Sequence, residues 1–275
     1  MEKKLLEDLQ DKAREIRKLT IEEIGTLGSG HIGGSMSIAD VLALLYFHRM
    51  KVDPANPRWE DRDQLVVSKG HAGPAVYATL ALKGFFPREW LATLNHGGTR
   101  LPSHCDRNLT PGIDMTAGSL GQGFSAAIGI ALALRIDKRP SRVYTIIGDG
   151  ESDEGQIWEG ALFAAAQGIS NLTAFTDYNK QQLDGYTKDI IDLGDLAAKW
   201  AAFGWYTQEV DGHDLEALDG AIEKTLAQKD KPSMIIMHTI KGKGCNFAEG
   251  IEKNHSMAFN LEKAREAIAV LEGRN

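Results

Sequence analysis

Oxygen-bearing side chains follow two apolar segments whose composition is typical of buried β-strands. Gly148-Asp149-Gly150 ends the first segment, and Asp177-Tyr178-Asn179 ends the second after an intervening helical pattern. Neighbouring strands of a parallel sheet lie roughly 4.8 Å apart and end at the same edge, so Asp149 and Asn179 can reach one small cation. Carboxylate and amide oxygens select Mg²⁺ or Ca²⁺, and Mg²⁺ completes its octahedron with water and phosphate oxygens. The spacing therefore predicts an anchor for a metal-bound diphosphate.

The helical pattern between the two segments supports this prediction. It covers Gly155–Gln167, and the free N–H groups and positive dipole end at a helix start favour a bound anion. Gly148 and Gly150 lack side chains, so a ligand can approach the backbone closely. A Gly-Asp-Gly sequence by itself is usually only a turn, but the asparagine that follows after one helix and one strand favours the metal site.

The elements that must position these residues alternate between β-like and helical patterns. Strands are predicted at short apolar runs bounded by polar residues or glycines: Gln64–Ser68, Arg142–Gly148, Leu172–Asp177 and Met234–Ile240. Helices are predicted at 2–19, Ile38–Tyr46, Phe124–Arg135, Gly155–Gln167 and Leu261–Leu271, with Ser37 and Asp40 fitting a capping pattern at the second of them. This alternation implies an α/β fold, a parallel sheet flanked by helices. No repeat or linker divides the chain, so residues 1–275 are expected to form a single domain.

The overall composition excludes several classes of protein. The chain has 31 Lys and Arg against 38 Asp and Glu, a net charge of −7 and a pI near 5.6. Such an acidic chain lacks the electrostatic footprint of a protein that binds nucleic acid or an anionic membrane. The two cysteines, Cys105 and Cys245, have no metal-ligand spacing and indicate neither a disulfide framework nor a zinc site. This cysteine usage fits a reducing, cytoplasmic compartment. The first twenty residues contain no uninterrupted apolar stretch that could act as a signal peptide or span a bilayer.

One glycine-rich segment matches the sequence pattern of a dinucleotide-binding site. Gly28-Ser29-Gly30-His31-Ile32-Gly33 fits G-x-G-x-x-G, but it follows a helical pattern and not a strand, so the Rossmann interpretation is rejected. The chain also lacks Walker A, H-E-x-x-H and G-x-S-x-G sequences. The common nucleotide hydrolase, zinc protease and serine hydrolase hypotheses are thereby removed.

Several ordered motifs together resemble the thiamine diphosphate enzymes, whose cofactor motif is Gly-Asp-Gly followed later by Asn, and among them transketolase. The resemblance runs along essentially the whole chain through Ser29-Gly30-His31, Ser68-Lys69-Gly70-His71-Ala72, Ser103-His104, Thr116–Gly123, Lys241-Gly242-Lys243-Gly244 and His255. It implies a thiamine diphosphate-binding fold, and the diphosphate-binding domain alone. A complete transketolase is more than twice this length and also carries a pyrimidine-binding domain and a C-terminal domain.

The resemblance also implies roles for individual residues. The metal ligands would be Asp149, Asn179 and the main-chain carbonyl of Gln181. The cofactor contacts would be His71, Gly118, Ser119, Leu120, Asp149, Gly150, Asn179, Leu183, Lys241 and His255. The catalytic residues of the substrate channel would be His31, His104 and His255, since imidazole can remove and return protons near neutral pH. Glu154 matches a glutamate at the subunit interface, although a buried carboxylate in a first helical turn can equally satisfy the helix terminus.

The activity implied by the resemblance is transfer of a two-carbon glycolaldehyde unit from a ketose or ketose phosphate to an aldose acceptor. The cofactors would be thiamine diphosphate and Mg²⁺, with Ca²⁺ as a substitute. The glutamate that activates the cofactor in this family lies in the pyrimidine domain, so a C-terminal subunit carrying that domain is the expected partner, in a heterotetramer with two copies of each chain.

Two alternatives to this function stay open from the sequence. The chain could be the matching portion of another thiamine diphosphate enzyme, such as deoxyxylulose-phosphate synthase or a 2-oxoacid dehydrogenase, or it could be a catalytically silent regulatory subunit. The sugar is also open among ordinary sugar phosphates, sulfonated sugars and branched sugars.

Overall fold

A five-stranded parallel β-sheet runs through the centre of the computed structural model, which describes residues 1–274. The strands, in chain order, are β1 (Ser29–Gly30), β2 (Gln64–Val67), β3 (Val143–Gly148), β4 (Leu172–Tyr178), β5 (Tyr206–Asp211), β6 (Ser233–His238) and β7 (Met257–Ala258). The central sheet has the order β2-β3-β4-β6-β5, while β1 and β7 form a separate antiparallel pair. The predicted α/β class is confirmed, and β3 and β4 are parallel neighbours, as the strand-end argument requires.

Helices cover both faces of this sheet. They are α1 (Lys3–Leu27), α2 (Gly33–Met36), α3 (Ala39–Leu44), α4 (Gly73–Lys83), α5 (Gln122–Ile136), α6 (Gly155–Ala166), α7 (Thr187–Ile190), α8 (Leu196–Ala202), α9 (Leu215–Leu226) and α10 (Leu261–Leu271). Helices α1, α3, α4, α9 and α10 pack into one hydrophobic core, and α5, α6 and α8 pack into another on the opposite face. Across residues 1–274, no helix has the length and apolar character that crossing a bilayer requires.

Strand β3 is buried along its whole length because both of its faces are covered, and most of its residues are apolar. Its residues are all buried, with Tyr144 and Ile146 in the first core and Val143 and Ile147 in the second. Packing on both sides leaves the strand little freedom to shift. The carboxyl end of β3, where Asp149 lies, is thus held on a rigid support.

Helix α1 is longer than the predicted segment 2–19. Ile21 and Ile24 are fully buried and continue the apolar face of the helix beyond that segment. The helix ends at Gly28, whose φ of +97° is the left-handed conformation that glycine adopts without a steric penalty. The chain then enters the glycine-rich segment that carries His31.

The predicted capping role of Ser37 and Asp40 is wrong. Helix α3 begins at Ala39 without a side-chain cap. The Ser37 hydroxyl instead donates to the carboxylate of Asp177 at 2.7 Å, and Asp40 accepts a hydrogen bond of 3.1 Å from Arg17. Hydrogen bonds to charged groups are stronger than neutral ones, so these tertiary partners outweigh the local cap.

The sequence pattern did not predict α4, β5 or α9. Strand β5 lies at the edge of the sheet and is only partly buried, so it carries no continuous apolar run. The predicted helix at Ile38–Tyr46 is also divided, since α3 ends at Leu44 and a π-helical turn follows over Leu45–Arg49.

Candidate active site

A pocket of about 210 Å³ opens where β2, β3 and β4 reach their carboxyl ends. Most of the predicted site residues line it: His31, His71, His104, Gly118, Leu120, Asp149, Gly150, Asn179, Gln181, Leu183, Lys241 and His255. A ligand site at the carboxyl edge of a parallel sheet is the usual arrangement in α/β proteins. The structure therefore brings motifs from distant parts of the chain to one place.

Oxygen atoms converge at the ends of β3 and β4. The Asp149 carboxylate accepts hydrogen bonds from Gly150 N at 2.8 Å and Lys180 N at 2.5 Å, and Asn179 Oδ1 accepts one of 3.1 Å from Gln181 N. These bonds orient the carboxylate and the amide while leaving each oxygen a second lone pair. Burial, followed by the neighbouring Asp177 carboxylate, raises the pKa of Asp149 to about 7, against the opposing effects of two main-chain N–H donors and Lys69.

The donor set in this corner fits Mg²⁺ together with a diphosphate. One carboxylate and one amide oxygen are hard ligands that leave several coordination positions for water and phosphate oxygens. A Cβ atom at Gly150 would lie 2.7 Å from the Cβ of Gln182 and 3.4 Å from its Cα. The close approach of Gln182 therefore requires glycine at this turn.

The buried carboxylate of Asp177 lies next to Asp149 and Asn179 and accepts several hydrogen bonds. Its carboxylate accepts hydrogen bonds from Lys69 Nζ and Thr239 Oγ1, both at 2.5 Å, and from Asn179 Nδ2 at 3.0 Å. Burial acts to raise the pKa of Asp177, but Lys69 and the hydroxyl donors outweigh it and hold the pKa below its usual value. The bonds of Asn179 Nδ2 to Asp177 and of Gln181 N to Asn179 Oδ1 fix the orientation of the side-chain amide.

Four histidines meet on the other side of the pocket. The ring centroid of His31 lies 5.8 Å from that of His71 and 5.4 Å from those of His104 and His255, while His71 and His255 are 4.7 Å apart. Burial lowers the pKa of all four, and Lys241 assists in bringing the pKa of His255 to about 3. At neutral pH these imidazoles are uncharged, so each can accept one hydrogen bond and donate another.

Lys241 places a positive charge at the edge of this pocket. Its ammonium group donates to the main-chain oxygen of Gln182 at 3.2 Å. Burial lowers the pKa of Lys241 to about 8, against the opposing effect of Asp149. At neutral pH the amine is still mostly protonated. It can neutralise part of the charge of a diphosphate held between Lys241 and the side chains of Asp149 and Asn179.

Two predicted residues lie outside the set that lines the pocket. Ser119 is exposed, although Gly118 and Leu120 on either side of it line the cavity. Glu154 is exposed at the start of α6 and its side chain makes no capping hydrogen bond, so the alternative of a buried carboxylate at the helix terminus is wrong. Its role at a subunit interface stays a prediction.

Four polar or glycine positions that line the same pocket were not predicted from the sequence: Gly34, Lys69, Glu151 and Gln182. Lys69 and Glu151 stand inside recognised motifs, each as a charged residue between a glycine and a serine, and that position inside a motif was the available signal. Both side chains are almost fully buried, at 1% and 2% exposure. Charged residues are rarely buried without partners, so such positions point to a built polar network.

An α/β fold with oxygen-bearing side chains, an ammonium group and uncharged imidazoles at one sheet edge is suited to binding an anionic cofactor. The chain belongs to the transketolase family: the model of the transketolase thiamine diphosphate binding domain matches residues 9–271. The resemblance found in the motifs is thereby confirmed. Family membership also favours transketolase over the other thiamine diphosphate enzymes that the sequence left open.

Two relatives of similar length are described as transketolase subunits. The chain is 60% identical to the 6-deoxy-6-sulfo-D-fructose transketolase subunit SqwG of Clostridium sp. (strain MSTE9), with 96% of each chain covered. It is 37% identical to an apulose-4-phosphate transketolase subunit of Phocaeicola vulgatus, with 96% of this chain and 93% of that protein covered.

Solved transketolases share the fold but are longer. The transketolase from Leishmania mexicana superposes with a TM-score of 0.89 at 31% identity, covering 97% of this chain and 41% of that one. The transketolase from Campylobacter jejuni gives a TM-score of 0.86 at 26% identity, covering 97% of this chain and 46% of that one. The chain therefore spans less than half the length of these enzymes.

Proposed function

We propose that this chain is the N-terminal, diphosphate-binding subunit of a two-subunit transketolase that transfers a glycolaldehyde unit from a ketose to an aldose. The observation that carries the proposal is the pocket in which oxygen ligands, Lys241 and four uncharged histidines meet. Its relatives of matching length are named as transketolase subunits, which supports a partner-dependent enzyme over a silent regulatory chain.

The proposed cofactors are Mg²⁺ and thiamine diphosphate. Asp149, Asn179 and the main-chain carbonyl of Gln181 would hold the ion, and Lys241 and His71 would hold the diphosphate end. Gly118–Leu120, Gly150, Leu183 and His255 would form the remaining contacts. When bound, thiamine diphosphate supplies the nucleophilic carbon and electron sink that cleavage next to a ketose carbonyl requires.

The histidines would carry the proton transfers on the sugar. Cleavage of the bond between C2 and C3 of a ketose turns the C3 hydroxyl into an aldehyde, so the hydroxyl proton must leave as that bond breaks. An uncharged imidazole can accept this proton and later return one to the oxygen of the acceptor aldehyde. His31 and His104 lie 5.4 Å apart between ring centroids, close enough to act on adjacent oxygens of one substrate.

Replacing His104 with alanine should slow turnover by about 10²-fold or more, because a positioned general acid or base contributes roughly that much. The affinity for thiamine diphosphate should change little, since His104 belongs to the proposed substrate side of the pocket. Steady-state kinetics of the two-subunit enzyme and titration calorimetry separate the two effects. His96→Ala, at an exposed histidine outside the pocket, is the matched control. An equal loss of cofactor binding would move His104 to a structural role.

Exposed apolar side chains support a partner that covers this subunit. Leu162 and Phe163 on α6 and Ile136 at the end of α5 are 60%, 46% and 69% exposed. Leu183, which lines the pocket, is 64% exposed. An apolar side chain exposed at a binding pocket is suited to contact with a partner protein.

The identity of 60% to the sulfofructose transketolase subunit, against 37% to the apulose phosphate one, supports 6-deoxy-6-sulfo-D-fructose as the donor. Removal of two carbons from this six-carbon ketose leaves a four-carbon aldehyde that keeps the sulfonate. This chain would thus act on the end of the sugar that is common to all ketose donors, while the sulfonate reaches toward the partner.

The donor assignment is tested with the two-subunit enzyme, Mg²⁺, thiamine diphosphate and glyceraldehyde 3-phosphate as acceptor. We expect mass spectrometry to detect the four-carbon sulfonated aldehyde, with kcat/KM about 10-fold or more above that for fructose 6-phosphate. Equal use of both ketoses would overturn the sulfosugar assignment and leave the transketolase assignment in place. Failure to transfer a two-carbon unit from either ketose would overturn both.

A further inference from the structure

We infer that Glu151 is a positioning residue that ties the loop before α5 to the metal-binding turn and so sets the affinity for the cofactor. Nothing in the transketolase resemblance assigns a role to this residue. The inference rests on the proposed function, because the turn and the loop matter only where a metal diphosphate binds between them.

The carboxylate of Glu151 accepts three hydrogen bonds from three different segments. Ser68 Oγ donates to Oε1 at 2.5 Å, Gly121 N donates to Oε1 at 2.9 Å, and Gly148 N donates to Oε2 at 3.0 Å. Ser68 directly follows β2, Gly121 precedes α5, and Gly148 ends β3. One buried side chain therefore joins the three segments that carry the His71, Leu120 and Asp149 parts of the pocket.

The direction of these bonds requires a carboxylate at position 151. The Ser68 hydroxyl accepts a hydrogen bond of 2.9 Å from Phe124 N, so its own proton is free to point to Glu151. Both main-chain groups are N–H donors. Every partner of the side chain is thus a donor, and the group that meets them must accept at both of its oxygens.

Glu151 and Ser68 together also accept hydrogen bonds from free N–H groups at the start of α5. The N-cap residue of this helix is Gly121, which has no side chain to cap the free N–H groups. Glu151 and Ser68 take up the N–H groups of Gly121 and Phe124 instead. A negative charge at this helix end is also favoured by the helix dipole.

Two of these segments, the one after β2 and the one before α5, are packed too tightly to adjust independently of each other. A Cβ atom at Gly70 would lie 2.6 Å from the main-chain oxygen of Ala117, and one at Gly123 would lie 2.7 Å from the Cα atom of Ser68. Loss of the carboxylate cannot be absorbed in one segment alone. It is expected to shift the loop that carries Gly118 and Leu120 relative to Asp149.

Glu151→Gln isolates this role because it keeps the size of the side chain. With the amide oxygen at the Oε1 position, the NH₂ group faces the N–H of Gly148, and donor meets donor. The affinity of the two-subunit enzyme for thiamine diphosphate at saturating Mg²⁺ should fall by about 10-fold or more, as the loss of bonds to a buried charged acceptor implies. Glu266→Gln, at an exposed glutamate on α10, is the matched control.

Titration calorimetry and hydrogen exchange, measured on samples whose thermal unfolding and circular dichroism show them folded, test the inference. Faster exchange confined to residues 118–124 and 146–151, with weaker cofactor binding, would support it. Unchanged affinity in folded Glu151→Gln would overturn it. If that variant does not fold, Ser68→Ala replaces it. Because Ser68→Ala removes one neutral donor to Glu151, we expect the affinity for the cofactor to fall by at least about threefold. Unchanged affinity in Ser68→Ala would overturn the inference. Absence of cofactor binding by the wild-type complex would instead overturn the proposed function.

Discussion

Replacing Asp149 with alanine is expected to abolish the Mg²⁺-dependent binding of thiamine diphosphate. Asp149 is the only anionic ligand among the three groups proposed to hold the ion. Without it, Asn179 and a main-chain carbonyl offer the ion only neutral oxygens, and neutral oxygens do not offset the cost of removing its water. We therefore expect affinity to fall by at least about 100-fold, which corresponds to roughly 2.7 kcal/mol.

The fold should tolerate this substitution. The carboxylate is buried beside Asp177, and burial with that neighbour raises the pKa of Asp149 to about 7, so its charge is unfavourable where no cation is bound. The variant loses two hydrogen bonds, from the N–H groups of Gly150 and Lys180, but also loses this repulsion. Its thermal unfolding without ligands should therefore stay close to that of the wild type.

Titration calorimetry at several Mg²⁺ concentrations measures the effect. Asp137→Ala, at an exposed aspartate that ends α5, is the control for the loss of a surface charge. Asp149→Asn keeps one acceptor oxygen and should bind more weakly than the wild type but not as weakly as the alanine variant. Full Mg²⁺-dependent binding by Asp149→Ala would remove Asp149 from the metal site.

The second large effect concerns the chain by itself, which should show no transketolase turnover. Its relatives of matching length are named as subunits, and it spans 41% of the transketolase from Leishmania mexicana. The pocket would hold the proposed diphosphate end, whereas the carboxylate that activates the pyrimidine end belongs, by the resemblance, to another domain. The exposed Leu183 at this pocket is suited to contact with such a domain.

A mixing experiment measures this dependence. The purified chain receives Mg²⁺, thiamine diphosphate, a ketose donor and an aldose acceptor, and the partner chain is then added in increasing amounts. Activity should begin only on mixing and saturate near equal stoichiometry. A stable interface of this type commonly buries about 2,000 Å² or more, so the complex should also be visible by sedimentation. Robust turnover without the partner would overturn the proposal of a two-subunit enzyme.

Local patterns in the sequence predicted the architecture and the closeness of Asp149 and Asn179 at one sheet edge. Strands β2, β3, β4 and β6 were predictable because both faces of these parallel strands are largely buried, which produces a mostly apolar run even in β2 at one edge of the sheet. Asp149 and Asn179 were predictable because parallel neighbours end at one edge, and β3 and β4 pair with Gly148 opposite Asp177. The edge strand β5 was not, since partial burial leaves it without such a run.

Only the tertiary structure decided which partners the buried charges take. Ser37 bonds to Asp177 across 140 positions of the chain, Lys69 to Asp177 across 108, and Ser68 to Glu151 across 83. A local pattern assigned Ser37 to a helix cap because the sequence displays only neighbours along the chain. The convergence of the four histidines is of the same kind. Periodicity reports whether a residue is buried, but a hydrogen bond requires atoms within about 3 Å, and packing of the complete fold sets that distance.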